Sequence, residues 1–253
     1  MNQFGELYSK YYDLLYADKD YAGEVDYVNG LIAANRKDAK TLLDMGCGTG
    51  KHAELFCDKG YTVHGVDLSE EMLGIAESRR TGKEDNLTFS KSDITKLKLD
   101  KKFDAVVSLF HVMSYQNSND ELLQAFQVAR EHLKEGGIFI FDFWYGPAVL
   151  TDLPTTRVKR LENNEIKVTR FVEPVLHVEK NVVDVHYDLF IENKKTTQII
   201  EKKELHKMRY LFDTELELIC EKVGLTIVEK YEWMTHDKPN FNSWNVLWIL
   251  KND

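Results

Sequence analysis

Cysteine, proline and long apolar runs are all scarce in this chain of 253 residues. The three cysteines, Cys47, Cys57 and Cys220, are odd in number and show no Cys-x-x-Cys spacing. That argues against a disulfide framework and against a zinc site, and no metal is expected. The N-terminal stretch MNQFGELYSKYYDLLY has neither the basic start nor the apolar core of a secretory signal. The greasiest run, Ile138 to Trp144, is interrupted by Asp142 and is far too short to span a bilayer. A reducing, cytoplasmic setting with no membrane partner is the expectation. Also lacking is a dense basic stripe: the formal charge is −9, which speaks against a nucleic-acid substrate.

What is present is ordinary globular material, 43% hydrophobic and 30% charged, long enough for one α/β domain carrying an insertion. Residues 40 to 145 alternate between strand and helix patterns. Lys40 to Met45 is a short apolar strand running into glycines, and Lys51 to Lys59 is a helix stopped by Gly60. Tyr61 to Asp67 is a second strand, after which Ser69 caps a helix opening on Glu70 and Glu71. Leu87 to Phe89 makes a third strand ending near Asp93, and Phe103 to Phe110 a fourth, apolar enough to be buried on both faces. Leu122, Phe126, Ala129 and Leu133 then recur at helical spacing, with Glu135-Gly136-Gly137 read as the stop and Ile138 to Asp142 as a fifth strand. Such alternation implies right-handed crossovers and a mainly parallel sheet.

Beyond Tyr145 the helical periodicity stops. Arg157 to Lys207 contains charged, β-branched runs separated by turns at Asn163-Asn164 and Glu192-Asn193, the signature of an inserted antiparallel sheet with one wet face. Asp213 is read as the cap of a last helix, with Leu216, Ile219 and Val223 on one side and Gly224 at its end. Strands at Leu225 to Trp233 and Trp244 to Leu250 complete the chain. The expected division is an N-terminal helical arm (1–35), a Rossmann-like core (36–150), the inserted sheet (151–210), and a C-terminal helix and strands that rejoin the core (211–253). The inserted sheet suits a homodimer interface as well as a substrate lid.

The first strand leads into Asp44-Met45-Gly46-Cys47-Gly48-Thr49-Gly50 and then a helix. Glycines there let the backbone turn tightly and let a ligand approach without a Cβ in the way. Asp67, at the end of the second strand and 21 residues past Gly46, suits the two ribose hydroxyls of an adenosine-type ligand. A dinucleotide site would have its third glycine one residue later, and Asp44 would repel phosphate. The same carboxylate could anchor an ammonium. S-adenosylmethionine (SAM) carries an ammonium and no phosphate, so it fits better than a dinucleotide or a ligand-free corner.

These motifs, with Val66 to Leu73, Ser92-Asp93-Ile94 and Leu133 to Gly137, resemble the core of class I SAM-dependent methyltransferases, Rossmann-like enzymes with a reversed last strand. The resemblance implies a mostly parallel α/β sheet and SAM as cofactor, with S-adenosylhomocysteine as product. It implies that Gly46 and Gly48, with Cys47 between them, line the methionine part. Asp67 then takes the ribose, Leu68 and Met72 flank the adenine, and Asp93 accepts from the adenine amino group beside Ile94. Tyr12-Asp13-Leu14-Leu15-Tyr16, Asp20-Tyr21-Ala22 and Ala105 to Phe110 are similar to bacterial nucleotide-aminosugar N,N-dimethyltransferases. By that likeness Tyr12 faces the transferred methyl, with Tyr16 and Phe110 beside the cofactor.

Ligands of open α/β sheets bind at the carboxyl ends of the strands. His111, Ser114, Tyr115, Asp142, Trp144 and Tyr145 stand there and are the candidates for the acceptor side. Tyr21 belongs to a tyrosine-rich arm whose rings suit a sulfonium ligand, although such an arm also reads as a helix docking on the core. His111 is the favoured general base and His206, with Arg209 close behind, the second. His64 and His186 read as structural and His132 as a helix-end cation. The expected activity is N-methylation of a small amine such as a nucleotide-linked amino sugar. The alternatives are another small amine or hydroxyl acceptor (an amino acid, a natural product) and RNA.

Overall fold

The computed structural model describes Tyr11, residues 14–16 and residues 19–253. It divides into two compact units. The larger comprises Tyr21–Asp152 and Arg209–Asp253. The smaller comprises Leu153–Met208 together with the described residues up to Asp20. The N-terminal arm expected over residues 1–35 is therefore split at Asp20. The reason is that helix α1 (Tyr21–Asn35) buries Val25, Val28, Leu31 and Ile32 in one core cluster with Leu42, Phe56 and Val63.

Seven strands build the sheet of the larger unit. They are β1 (Thr41–Met45), β2 (Thr62–Asp67), β3 (Leu87–Lys91), β4 (Phe103–Ser108), β5 (Leu133–Tyr145), β10 (Thr226–Glu232) and β11 (Asn245–Lys251). The spatial order is β3-β2-β1-β4-β5-β11-β10. The first five strands run parallel, while β11 lies antiparallel to β5 and β10 antiparallel to β11. The order reverses between β1 and β4, and a crevice at the carboxyl ends of strands flanking such a point is where these sheets take ligands.

Strand periodicity sorts the core into two layers. Leu43, Val106, Phe139, Phe141 and Phe143 face α4 (Asn119–Glu131) and α6 (Asp213–Val223). Leu42, Ala105, Val107, Ile138 and Ile140 face α1 and α2 (Lys51–Asp58). The Phe139, Phe141 and Phe143 rings stack along one edge of that core, with centroids 4.9 and 5.7 Å apart.

One charge is built into the framework. Asp104 Oδ2 accepts from the Lys40 and Thr41 amides (3.0 Å each) and from Thr41 Oγ1 (2.7 Å), while Lys134 Nζ lies 3.0 Å from Oδ1. Burial works against ionisation, yet these donors hold the carboxyl well below the usual range. Its stabilising effect is present above the ordinary aspartate pKa and is lost as pH falls through the depressed value. Asp104→Asn is expected to lower stability by about 1–3 kcal/mol at neutral pH, read by chemical denaturation. The difference from wild type should shrink in strong acid.

Four local readings of the sequence need correction. Gly136 and Gly137 do not stop the helix: α4 ends at Glu131 and β5 begins at Leu133, so both glycines lie within the strand. Gly136 has φ +66°, and a Cβ on Gly137 would stand 2.9 Å from the Lys134 carbonyl, so a local irregularity of the strand requires them. His132 is not a helix-end cation. It is buried, its Nδ1 donates to the Val128 carbonyl at 2.7 Å, and its Nε2 accepts from the Leu99 amide at 3.0 Å, which fixes a neutral ring. Asp213 is the first residue of α6 rather than its cap, and the Phe212 amide donates to Glu215 Oε1 instead. The fifth strand is longer than Ile138 to Asp142, because β11 pairs with it from Ile138 to Trp144.

The smaller unit is antiparallel. β6 (Arg157–Glu162) pairs with β7 (Ile166–His177), β7 with β8 (Val182–Asn193), and β9 (Ile199–Leu211) follows β8 in the sheet. Asn163 and Asn193 make the turns, their side-chain oxygens accepting from amides two and three residues on. Ile166, Val168, Val183, Leu189 and Ile191 are buried while their strand neighbours Lys167 and Glu192 remain wet or half-wet.

Candidate active site

The loop after β1 turns on three residues with positive φ: Gly46 (+84°), Gly48 (+54°) and Gly50 (+73°). The amides of Gly46 and Cys47 donate to the Val66 carbonyl (2.8 and 2.9 Å), which binds the loop to the end of β2. A Cβ on Gly46 would stand 2.5 Å from Val112 Cγ1, so only glycine passes beneath that side chain. Arg79, the residue that closes α3 (Glu70–Ser78), donates from Nε to the Thr49 carbonyl at 2.8 Å and braces the loop from the other side. Neither Val112 nor Arg79 was legible in the sequence, because both act through tertiary contact.

Two carboxylates face this loop. Asp67 Oδ2 accepts from the Gly48 amide and Oδ1 from the Ser69 amide, both at 2.8 Å, leaving further lone pairs on each oxygen. Asp44 is buried to 2% exposure, and its Oδ2 finds no hydrogen-bond partner among the described residues. Burial, and secondarily the negative charge of Asp67, push its pKa up to about 7. A buried carboxylate oxygen without a partner is costly unless a donor arrives. Cys47 beside it is no nucleophile: burial and the two aspartates push its thiol well up, so it stays protonated.

After β2, Ser69 Oγ accepts from the Met72 amide at 3.3 Å and starts α3, as expected from the sequence. Leu68 there is 65% exposed, a large apolar surface beside the loop. After β3, Asp93 Oδ1 accepts from the Thr95 amide (2.9 Å) and Oγ1 (2.7 Å), next to buried Ile94.

After β4 the chain is strained. Phe110 and His111 both adopt positive φ, +68° and +63°, which bulky side chains rarely do. The His111 amide then points at Asp142 on β5, 3.1 Å from Oδ1 and 3.2 Å from Oδ2. His111 Nδ1 lies 2.7 Å from Asp142 Oδ2, off the line of a well-directed hydrogen bond. The short 3₁₀ turn Val112–Tyr115 follows, and Ser114 Oγ accepts from the Trp144 amide at 3.0 Å. The Trp144 ring centroid is 6.3 Å from His111 and 5.4 Å from Trp244. Tyr145 is buried and Tyr115 exposed.

The structure thus brings Asp44, Gly46, Cys47, Gly48, Asp67, Leu68, Met72, Asp93, Ile94, Phe110, His111, Tyr115, Trp144 and Tyr145 to the carboxyl ends of the parallel strands. Tyr21 opens α1, its ring 4.9 Å from that of His52 just beyond the loop, and His52 Nε2 meets Glu24 at 2.7 Å. Arg209 is buried, and its Nη2 donates to Asn119 (2.6 Å) and Glu215 (3.1 Å), tying α4 to α6. His206 belongs to the smaller unit, where it stands edge-on to Tyr187 with centroids 5.1 Å apart. Tyr16 is half-buried in that unit, and Tyr12 lies outside the described residues.

Residues 42–137 match a family described as a methyltransferase domain. A dTDP-3-amino-3,4,6-trideoxy-alpha-D-glucopyranose N,N-dimethyltransferase of Streptomyces venezuelae is 36% identical over 56% of this chain and 59% of its own length. A dTDP-3-amino-3,6-dideoxy-alpha-D-glucopyranose N,N-dimethyltransferase of Streptomyces fradiae is 26% identical over 88% of this chain and 85% of its own. Among solved structures, an S-adenosylmethionine-dependent methyltransferase from Clostridium acetobutylicum superposes with a TM-score of 0.84 over 99% of both chains, at 24% identity. That last likeness is one of fold. With the reversed β11 and the glycine loop at the switch point, the chain resembles a methyltransferase domain over residues 42–137 and shares the class I, Rossmann-like fold seen in SAM-dependent methyltransferases.

Proposed function

We propose that this chain is a SAM-dependent N-methyltransferase acting on a small amine, with a nucleotide-linked amino sugar as acceptor. The observation that carries the reading is Asp44 Oδ2: a buried carboxylate oxygen with no protein donor, set beside a glycine loop and a second acid. That pair of acceptors fits an ammonium at Asp44 and a diol at Asp67. Gly46 and Gly48 would let the amino-acid portion lie against the backbone, and Leu68, Met72, Asp93 and Ile94 would hold the adenine.

Bound SAM would supply a methyl group on a sulfonium, an N–C bond to the acceptor replacing the S–C bond whose electrons the neutral thioether would keep. The protein's work is alignment, exclusion of water and removal of one proton from the acceptor nitrogen. His111 would take that proton at Nε2, the ring nitrogen away from Asp142. Trp144 and Trp244 would wall that space from water. The kinship to two amino-sugar N,N-dimethyltransferases supports the acceptor class, and the net charge of −9 favours a small molecule over nucleic acid. Three unpaired cysteines suit a reducing, cytoplasmic setting, and the inserted sheet remains our candidate for a homodimer contact.

Calorimetric titration tests the cofactor assignment. Wild type should bind SAM at one site, and Asp67→Ala should weaken it ten- to a hundredfold, about 1.5–3 kcal/mol for a lost charge-assisted bond. Equal affinity in the variant would place the ribose elsewhere.

A further inference from the structure

Asp142 occupies a position where a strand of this kind normally keeps an apolar side chain. Its neighbours Ile140, Phe141 and Phe143 are fully buried, and Asp142 itself is 1% exposed. On β5 it pairs with Leu247 of β11, one residue past the last pair with β4, Ser108–Phe141. A carboxylate desolvated this far needs donors of its own. Among the described residues its hydrogen-bond donor is the His111 amide, 3.1 and 3.2 Å from its two oxygens, and His111 Nδ1 lies 2.7 Å from Oδ2. The amide reaches it only because Phe110 and His111 are held in left-handed conformations that cost strain. The buried Nδ1 makes no hydrogen bond among the described residues, and the carboxylate of Asp142 is the charged group set against it.

A neutral imidazole carries one N–H and one bare nitrogen, and the partner of one ring nitrogen decides the state of the other. A carboxylate at Nδ1 draws the ring proton to that side. We propose that Asp142 is the positioning residue of the reaction: it fixes His111 as the Nδ1–H tautomer, leaving Nε2 as the bare nitrogen that accepts the proton. The inference rests on His111 being the base. In the step itself the acceptor nitrogen gives its proton to Nε2, and the imidazolium so formed is balanced by the carboxylate of Asp142. The Nδ1 contact is short but poorly aligned, as such contacts often are before substrate binds, and a small ring rotation closes it. The two left-handed residues serve the same end, since an ordinary turn after β4 would carry the His111 amide away from Asp142.

The test is ¹⁵N-histidine NMR of the whole protein, with the His111 signal assigned by its loss in His111→Gln. In wild type the long-range ¹⁵N–¹H pattern should report a proton on Nδ1. In Asp142→Asn the side-chain amide presents an N–H to Nδ1, so the proton should move to Nε2. There kcat should fall roughly 10²- to 10⁴-fold, with the acceptor KM and the SAM dissociation constant unchanged. A merely structural role would disturb KM and cofactor affinity together. A proton on Nε2 in wild type overturns the inference, and so does an Asp142→Asn enzyme with unchanged tautomer and unchanged kcat. The wild-type spectrum decides even if the variant fails to fold. If His111→Gln retains full kcat, the base assignment falls with it; if that variant is slow while the tautomer ignores Asp142, only the positioning role is lost.

Discussion

Asp44→Asn should bind SAM ten- to a hundredfold more weakly and yet give a cofactor-free protein that is more stable than wild type above pH 7. Both halves follow from one buried group. Burial first, and the nearby Asp67 charge second, raise the Asp44 pKa from 3.8 to about 7. A carboxyl raised in the folded state gives full stability below its unfolded pKa. That stability drains away as pH rises from about 4 to about 7, because the unfolded chain ionises first. Above pH 7 the cofactor-free protein therefore bears the charge at its full cost. A shift of that size corresponds to about 4 kcal/mol. Asparagine recovers part of it, since its own amide must find an acceptor in the same pocket, and about 1–3 kcal/mol is expected. For a chain of this length that is roughly 2–4 °C in Tm per kcal/mol.

The affinity loss has the opposite origin. A charged, buried acceptor for an ammonium is replaced by a neutral one, at about 1.5–3 kcal/mol. The same titration predicts a pH dependence in wild type: SAM affinity should decline as pH falls below about 7 and Asp44 takes up a proton. Calorimetric titration across pH, with thermal denaturation of both proteins without cofactor, checks the whole pattern. A variant that binds SAM normally, or one that loses both affinity and stability, would show that Asp44 is framework rather than a ligand group.

The second large effect is expected at His111. His111→Gln should lower kcat roughly 10²- to 10⁴-fold, the usual contribution of a positioned general base. SAM affinity should be intact, because Asp44, Asp67 and Asp93, the carboxylates assigned to the cofactor, lie on other loops. Glutamine keeps the side chain polar and of similar reach, and its main-chain amide can still donate to Asp142, so the strained turn should survive. S-adenosylhomocysteine release under saturating substrates is the measurement. Turnover within the range of wild type would mean that the acceptor amine arrives already deprotonated or loses its proton to another group.

The parts of this molecule that a sequence makes plain are those governed by local periodicity and turn chemistry. β1, the glycine loop, α2 and β2 fall where apolar alternation and Gly46, Gly48, Gly50 and Gly60 place them. The insertion is just as plain, since Asn163 and Asn193 mark its turns. Reading fails where a side chain takes over a backbone's task. Gly136 and Gly137 resemble a helix stop, but His132 already closes α4 with its own ring, which frees the glycines for β5. Glu215 likewise does the capping that Asp213 was expected to do.

At the site, the strand-end rule was enough to single out His111, Asp142 and Trp144 individually. Their relation was hidden, because it depends on positive φ at Phe110 and His111, residues that give no local sign of it. Arg209 shows the converse. It stands near candidates in sequence, but its guanidinium is engaged by Asn119 and Glu215, partners 90 and 6 residues away.

The most direct test of the central claim is mass spectrometry of reactions containing the protein, SAM and a panel of dTDP- and UDP-linked amino sugars, with S-adenosylhomocysteine quantified in parallel. A gain of one or two methyl masses on an amino sugar is expected, with one S-adenosylhomocysteine formed for each methyl transferred. Binding of SAM with no methylated amine in any reaction would contradict the proposed acceptor. No SAM binding at all would contradict the reading of Asp44, the glycine loop and Asp67 as a cofactor site.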